Sequence, residues 1–262
     1  MAVKANKSSK RKRSKRKRKK HSRNWLFLMI ASGVVGVLIL AAGLFYVNKR
    51  LHHPNVTINS TNFPIRGIDV SSHNGVINFA RVARDSVSFV ILKASEGTSF
   101  KDPRFDLNYS NATKAGLRVG AYHFFRKSND GRLQADNFMR SVQGKRLDLP
   151  FVIDIEDWGN DHFVSHSSVM QNFKDMYNRL DQYGVRIMIY TNKNGYDKYV
   201  ANRFRDASLW ICTFDEPGSY SNYDWRIQQY SHWGNIDGIT GDVDLNVFNG
   251  NAEQWEAWVQ NQ

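Results

Sequence analysis

The sequence predicts an α/β protein, a shortened TIM-like (βα)5β3 barrel preceded by one transmembrane helix. Three observations predict this architecture. An uncharged apolar segment lies near the N-terminus, eight short apolar and β-branched segments follow residue 64, and the segments between the first six of these have helical spacing. Alternating strands and helices favour parallel strands with right-handed crossovers. A doubly wound open sheet is the structural alternative.

The basic character of the chain is confined to its N-terminal tail. The 262 residues contain 37 Lys and Arg against 24 Asp and Glu, a formal charge of +13, and residues 1–24 hold 13 of the basic residues and no acidic one. From Leu51 onward, 22 basic residues stand against 24 acidic ones. Such a tail can contact nucleic acid, but the nearly neutral remainder predicts no nucleic-acid partner. We interpret residues 1–24 as a basic cytoplasmic tail.

Residues 25–47 are predicted to form a transmembrane helix. These 23 residues carry no charge, and at 1.5 Å per residue they span roughly 34 Å, enough for a hydrocarbon core of about 30 Å. The positive charge before the segment places the N-terminus in the cytoplasm and everything after residue 47 outside. The protein is thus predicted to be a single-pass membrane protein that contacts lipid through residues 25–47. A cleaved signal peptide is the alternative, because Ala41-Ala42-Gly43 resembles a cleavage site.

Residues 48–64 are predicted to be a linker, and residues 65–262 a single folded domain. The linker is polar, contains two prolines and shows no helical or strand period. In the domain, the predicted helices cover 78–85, 105–115, 131–143, 164–183 and 194–205. The predicted strands are 66–71, 89–95, 118–125, 150–156, 186–192, 209–214, 225–231 and 242–248. About 187 residues for eight strands is fewer than the roughly 250 of a full (β/α)8 barrel, hence the shortened form.

Acidic residues gather where the predicted strands end. Because side chains alternate along a strand, Asp154 and Glu156 share one face, and we expect that face to be the barrel interior. Asp69 and Asp244 are expected to point to the same mouth, and Glu96 follows the second strand. Barrel enzymes place their chemistry at this rim. Clustered carboxylates repel one another, so such a cluster costs stability unless the protein uses it.

Paired acids suit cleavage of a glycosidic bond. Hard cations also accept carboxylate ligands, but the chain shows no EF-hand-like loop or His–acid spacing, so neither a metal nor a cofactor is predicted. Aromatic and polar residues on the strands or just after them are candidates for sugar binding: Tyr122, Phe124, Tyr190, Trp210, Tyr230, Gln228, Asn246, Glu96 and His73. The alternative for the aromatic rings is that they fill the barrel core. His123 alternates with Tyr122 and Phe124 and is expected to face the helices.

Five segments resemble the family 25 glycoside hydrolases, the muramidase type of lysozyme. They are GIDVSSHNGVINF (67–79), FVILKASEGTSFKDPRF (89–105), AGLRVGAYHFF (115–125), LPFVIDIE (149–156) and GDVDLNVF (241–248). The resemblance implies a (βα)5β3 barrel and residues 65–262 as the catalytic domain. It also implies hydrolysis of the β-1,4 bond between N-acetylmuramic acid and N-acetylglucosamine in peptidoglycan. Peptidoglycan glycan strands are then the partner, and the domain is expected to act as a monomer outside the cytoplasm.

The resemblance also implies roles for the four acids. Glu156 matches the general acid, and Asp154 is either a nucleophile or the group that orients the substrate's 2-acetamido group for attack on C1. Asp69 and Asp244 would set the electric field and hold partners by hydrogen bonds. We predict that the separation of the Asp154 and Glu156 carboxyl groups leaves room for the acetamido group, because direct attack would need only about 5–5.5 Å.

Two other functions are compatible with the same residues. One is a catalytically inactive, membrane-tethered module that binds saccharide, and the other is a chitinase-like hydrolase of a different acetamido-sugar polymer. Intact acids at all four positions favour an active enzyme. The chain ends in a predicted helical stretch, 252–260, whose Trp255, Trp258 and Val259 are expected to pack on the barrel. The membrane anchor is expected to replace the wall-binding modules of many relatives.

Overall fold

The computed structural model describes residues 25, 27–45, 47, 58–160, 163–219 and 223–260. The chain forms two compact units, the first ending at Pro54 and the second beginning at Asn55. In the first unit, helix α1 (Phe27–Phe45) has 19 residues and a mean hydropathy of 2.5. Its length and composition suffice to cross a membrane, and a signal sequence near an N-terminus has the same properties. The predicted basic tail, 1–24, lies outside the described residues.

The second unit is a closed barrel. Its nine strands are β1 (Arg66–Val70), β2 (Phe89–Glu96), β3 (Phe100–Lys101), β4 (Arg118–Phe124), β5 (Phe151–Asp154), β6 (Ile187–Asn192), β7 (Ser208–Cys212), β8 (Trp225–Gly234) and β9 (Val243–Phe248). Eight of them close the barrel, because β1 pairs with both β2 and β9, and β3 only extends β2. Strand β9 runs antiparallel to β8 and β1, and the other barrel pairs are parallel. The barrel prediction is confirmed, and closure excludes the open sheet.

Helices follow the first five strands of the barrel. They are α2 (Phe79–Val82), α3 (Phe105–Lys114), α4 (Gly131–Ser141), α5 (His166–Gln182) and the short α6 (Lys193–Gly195), which continues as a π-helical turn, Tyr196–Val200. The side chains of Asp130 and Ser165 cap the N-termini of α4 and α5. The predicted helix 194–205 was too long. Its helical part ends at Val200, because the ψ of 127° at Ala201 is not helical and Asn202 adopts a left-handed φ of 62°.

Alternation along the strands separates two apolar layers. Ile68, Ile153 and Ile155 pack under the helices, whereas Val152 and Met188 fill the barrel interior. His123 lies under the helices as predicted, fully buried, with its Nδ1 2.8 Å from Ser95 Oγ. The faces predicted for β1 and β5 are therefore confirmed, and the acids that alternate with these apolar residues point inward.

The C-terminal helix α7 (Ala252–Gln260) closes the lower end of the barrel. The Trp255 ring lies 5.1 Å from the rings of both Phe89 and Phe248, measured between centroids. Trp255 and Val259 belong to the interior apolar cluster, and Trp258 packs against it. This confirms the packing predicted for the C-terminal stretch and fills the end opposite the acids.

No helix among the described residues packs on the outer face of the last strands, which the segment 58–64 covers. A separate apolar cluster there contains Leu209, Ile211, Trp225, Tyr230 and Val247, and Ile58 and Phe63 pack against it. The ring centroids of Phe63 and Trp225 are 6.1 Å apart. Residues 58–64 were assigned to the linker from their polarity, but they lie within the second unit, which begins at Asn55.

Removing the Phe63 ring is expected to destabilise the barrel. Full burial of such a side chain contributes about 1.5–3 kcal/mol, and Phe63 is partly buried, so we expect Phe63→Ala to lower the free energy of unfolding by about 1–2 kcal/mol. Thermal unfolding of the full chain in detergent measures the change. Val76→Ala, at a side chain that is 75% exposed, is the control. Equal melting temperatures for the Phe63 and Val76 variants would show that segment 58–64 is not part of the folded unit.

Candidate active site

A cavity of about 870 Å³ opens at the carboxyl ends of the parallel strands. This is the end at which barrel enzymes place their chemistry. Ten of the residues predicted for the site line it: Asp69, His73, Glu96, Tyr122, Phe124, Asp154, Glu156, Tyr190, Trp210 and Asp244. Cys212 also lines it, and burial raises the pKa of this thiol to about 12. The four acids singled out by strand alternation are thus brought together in one cavity.

Three residues predicted to bind sugar are placed differently. Asn246 is fully buried beneath the cavity, where its Oδ1 accepts a hydrogen bond of 2.8 Å from Trp210 Nε1. Gln228 donates through Nε2 to two loop carbonyls, and Tyr230 packs in the outer cluster beside Phe63. The prediction that Gln228 and Tyr230 face the cavity was wrong. On β8, Ile227 faces inward, so Gln228 and Tyr230 face outward.

Asp69 and Asp244 form a hydrogen-bonded carboxyl pair. They are directly opposite each other in the antiparallel β1–β9 ladder. Asp69 Oδ2 also accepts hydrogen bonds from Asn246 Nδ2 at 2.7 Å and from Gln229 Nε2 at 3.0 Å. Burial raises the pKa of Asp69 to about 6, although these hydrogen bonds oppose the shift. Burial, with the nearby charge of Asp69, raises the pKa of Asp244 to about 9. Near neutral pH, Asp244 therefore holds the proton and donates a hydrogen bond to the Asp69 carboxylate.

Asp154 ends β5 and is almost completely buried, with 6% of its surface exposed. Burial raises its pKa well above the usual range, and the charge of Glu156 adds to the shift. Its Oδ1 atom has no hydrogen-bond partner among the described residues. A buried carboxyl oxygen without a hydrogen-bond partner is costly, and in a cavity it marks a place where a ligand can bind.

Glu156 lies two residues further along the chain, closer to the mouth of the cavity. Burial and then the charge of Asp69 raise its pKa to about 7, although the Lys127 ammonium opposes both effects. The carboxyl group is therefore substantially protonated at neutral pH, which a group that donates a proton during catalysis requires.

The loop that carries Glu156 is held by the end of the neighbouring strand. Asn160 Nδ2 donates to the carbonyls of Glu156 at 3.1 Å and Phe125 at 3.0 Å, and Asn160 Oδ1 accepts from the Lys127 amide. The buried Lys127 ammonium pairs with Asp157. Sequence reasoning missed Lys127 and Asn160, since neither their type nor their spacing marks them among the other polar residues.

Glu96 lines the cavity but differs from the other four acids. Its carboxylate is 2.6 Å from Lys93 Nζ and is also paired with Arg126. Burial acts to raise its pKa, but the hydrogen bonds and charges of Lys93 and Arg126 outweigh burial and hold the pKa below the usual value. Glu96 is therefore a charged residue of the cavity wall.

The described residues contain no group of three or more His, Cys, Asp or Glu arranged to hold a metal ion.

Comparison with known proteins agrees with this geometry. The family model described as glycosyl hydrolases family 25 matches residues 68–239. Lysozyme M1 from Streptomyces globisporus is 34% identical over 211 residues, covering 75% of this chain and 74% of the relative.

Solved structures show the same likeness. A family 25 glycosyl hydrolase from Bacillus anthracis superposes with a TM-score of 0.71 at 32% identity, over 79% of this chain and 98% of that one. A bacterial lysozyme from Streptomyces coelicolor gives a TM-score of 0.67 at 33% identity, over 75% and 97% of the two chains. The matched residues include Asp69, Asp154 and Glu156. This chain is therefore a member of glycosyl hydrolase family 25.

Proposed function

We propose that the enzyme hydrolyses the β-1,4 bond between N-acetylmuramic acid and N-acetylglucosamine in peptidoglycan. Relatives named lysozyme, autolytic lysozyme and N,O-diacetylmuramidase support this substrate. The observation that carries the proposal is the buried Oδ1 of Asp154, which has no partner among the described residues and lies in the same cavity as Glu156, whose pKa is raised to about 7. A donor and an acceptor for substrate are thus available side by side.

In the proposed reaction, Glu156 is the general acid. Its proton passes to the glycosidic oxygen as the bond between that oxygen and C1 breaks. Asp154 accepts a hydrogen bond from the N–H of the substrate's 2-acetamido group, which satisfies its free oxygen and turns the acetamido carbonyl oxygen toward C1. That oxygen then forms the new bond to C1. Water later opens the resulting ring, giving its proton back to Glu156 and restoring the acetamido group.

The Asp69–Asp244 pair is proposed to stabilise the positive charge that develops on the sugar. Its single proton leaves one net negative charge in the cavity, and the hydrogen bonds from Asn246 and Gln229 fix its position. A preorganised charge of this kind stabilises a transition state because it does not have to reorient as the reaction proceeds. The pair is proposed to act through its field and not as a nucleophile.

The direct test identifies which bond is cut. The full chain in detergent is incubated with purified peptidoglycan, the products are reduced with borohydride, and the reduced sugars are identified. Reduced muramic acid is expected from the wild type and not from Glu156→Gln. Reduced glucosamine would mean that the other glycosidic bond is the target. Binding to peptidoglycan without the release of new reducing ends would indicate that the protein is an inactive saccharide-binding module.

Activity is expected to fall as pH rises through about 7, because a general acid works only while it is protonated. The charge of Lys127 lowers the pKa of Glu156, so Lys127→Gln should raise that pKa. The fall of kcat/KM on the alkaline side of the pH profile, its basic limb, should then move to higher pH. Lys127→Arg keeps the cation and should leave the limb near its original position. A limb that does not move in Lys127→Gln would show that another group titrates there.

The enzyme is proposed to act outside the cytoplasm, with α1 crossing the membrane and residues 1–24 inside. The apolar length of α1 and the basic residues before it support this topology. A membrane-impermeant thiol reagent tests it in a Cys212→Ala background: Thr61→Cys should be labelled in intact cells and Ser9→Cys should not. A mature chain that begins after residue 43 would instead identify a cleaved signal peptide.

A further inference from the structure

Trp158 is unusually exposed for its size and position. Its side chain lines the cavity that holds the acids, yet 79% of it is accessible to solvent. Large aromatic side chains bring much apolar surface, and one that lines an enzyme's cavity is placed where a ligand can cover it. The reaction proposed above assigns this residue no part.

The backbone around Trp158 is held firmly. The Arg126 guanidinium donates a hydrogen bond to the Gly159 carbonyl, and its carbon lies 5.0 Å from the centre of the Phe124 ring. Gly159 adopts a left-handed φ of 70°, which favours glycine. Asn160 ties the next turn to Glu156 and Phe125. Hydrogen bonds at Gly159 and Asn160 thus hold the backbone that follows the indole.

Burial decreases along the chain from Asp154 to Trp158. Asp154 is 6% exposed, Glu156 is half-buried, and Trp158 is 79% exposed, although all three line the same cavity. In the proposed reaction Asp154 holds the acetamido group of the sugar that keeps C1, and Glu156 reaches the oxygen that leaves. The next position outward is occupied by the sugar on the leaving side of the bond.

We propose that Trp158 is a substrate-binding residue on which the sugar of the leaving group stacks. This inference rests on the proposed function and extends it to a second sugar. Pyranose rings have an apolar face of C–H groups that can cover an indole ring. The outward order of Asp154, Glu156 and Trp158 then matches the order of acetamido group, scissile oxygen and leaving sugar along the glycan strand.

The test compares two substrates that differ only in the leaving group. One is a soluble peptidoglycan tetrasaccharide, whose leaving group is a disaccharide, and the other is the corresponding disaccharide β-fluoride, whose leaving group is a single atom. With the full chain in detergent, Trp158→Ala should lower kcat/KM at least tenfold on the tetrasaccharide, mainly through KM. It should leave kcat/KM on the fluoride within about twofold of the wild type. Trp158→Phe should recover most of the loss.

Phe163→Ala is the matched control, because Phe163 lies on the same loop and is 99% exposed, but it does not line the cavity. Phe163→Ala should leave kcat/KM unchanged on both substrates. If Trp158→Ala lowers kcat/KM equally on the two substrates, the role of the ring is structural. If kcat/KM is unchanged on both, the ring contacts no sugar. Either result overturns the inference. Failure of the wild type to cut the tetrasaccharide would instead overturn the proposed function.

Discussion

Glu156→Gln is expected to lower kcat on peptidoglycan by about 10²–10⁴-fold, the range that general acid catalysis supplies. Glutamine keeps the size of the side chain and can still donate a hydrogen bond, but it cannot transfer a proton to the leaving oxygen. KM should change little, since the contacts to the sugars remain. Release of new reducing ends at saturating substrate measures the effect.

Thermal unfolding separates this loss from a loss of structure. The wild-type pKa of Glu156 is about 7, so its carboxyl is largely ionised at pH 8, in a place where burial and Asp69 disfavour charge. The neutral amide removes that cost, and the melting temperature of Glu156→Gln at pH 8 should equal or exceed that of the wild type. Glu253→Gln, on the exposed start of α7, should leave both activity and stability unchanged. Retention of kcat in Glu156→Gln would remove Glu156 from the mechanism.

Trp255→Ala is expected to lower the free energy of unfolding by about 3–5 kcal/mol, the usual cost of truncating a buried aromatic side chain to alanine. Trp255 is 2% exposed and lies between Phe89 and Phe248 at the lower end of the barrel. For a domain of this size the change corresponds to a fall in melting temperature of roughly 6–20 °C. Calorimetry of the full chain in detergent provides the measurement.

Trp158→Ala is the matched control for Trp255→Ala, since it removes the same side chain from an exposed site. Its melting temperature should stay within a few degrees of the wild type. A comparably small change in Trp255→Ala would mean that α7 does not contribute to the stability of the barrel. A large change accompanied by normal activity at low temperature would show that α7 supports the fold and not the chemistry.

The positions of the four acids were predictable because side chains alternate between the two faces of a strand. Asp154 shares a face with Val152 and alternates with Ile153 and Ile155, which need burial under the helices, so its face and its end of the barrel follow from the pattern. The proton shared by Asp69 and Asp244 was not predictable. It depends on how deeply β1 and β9 bury the two groups and on their pairing across the ladder.

The errors also have physical causes. Gln228, Gln229 and Tyr230 are all compatible with either face of a strand, and β8 contains register shifts, so alternation could not tell which of them faces the cavity. Segment 58–64 is polar overall, and only Ile58 and Phe63 reveal that it covers an apolar surface that lacks a helix. The Lys127–Asp157 pair joins residues 30 positions apart, and only the fold brings them together.

In the part of the chain that the structure describes, α7 and the interior side chains fill one end of the barrel, and the cavity with the acids opens at the other. A polymer therefore cannot thread through it, and a glycan strand that reaches the acids must lie across the mouth and leave by the same side. An enzyme with such a site can begin hydrolysis without binding the free end of a glycan strand. We expect cuts at internal positions of long strands, with a rapid fall in average strand length while few disaccharides have yet been released.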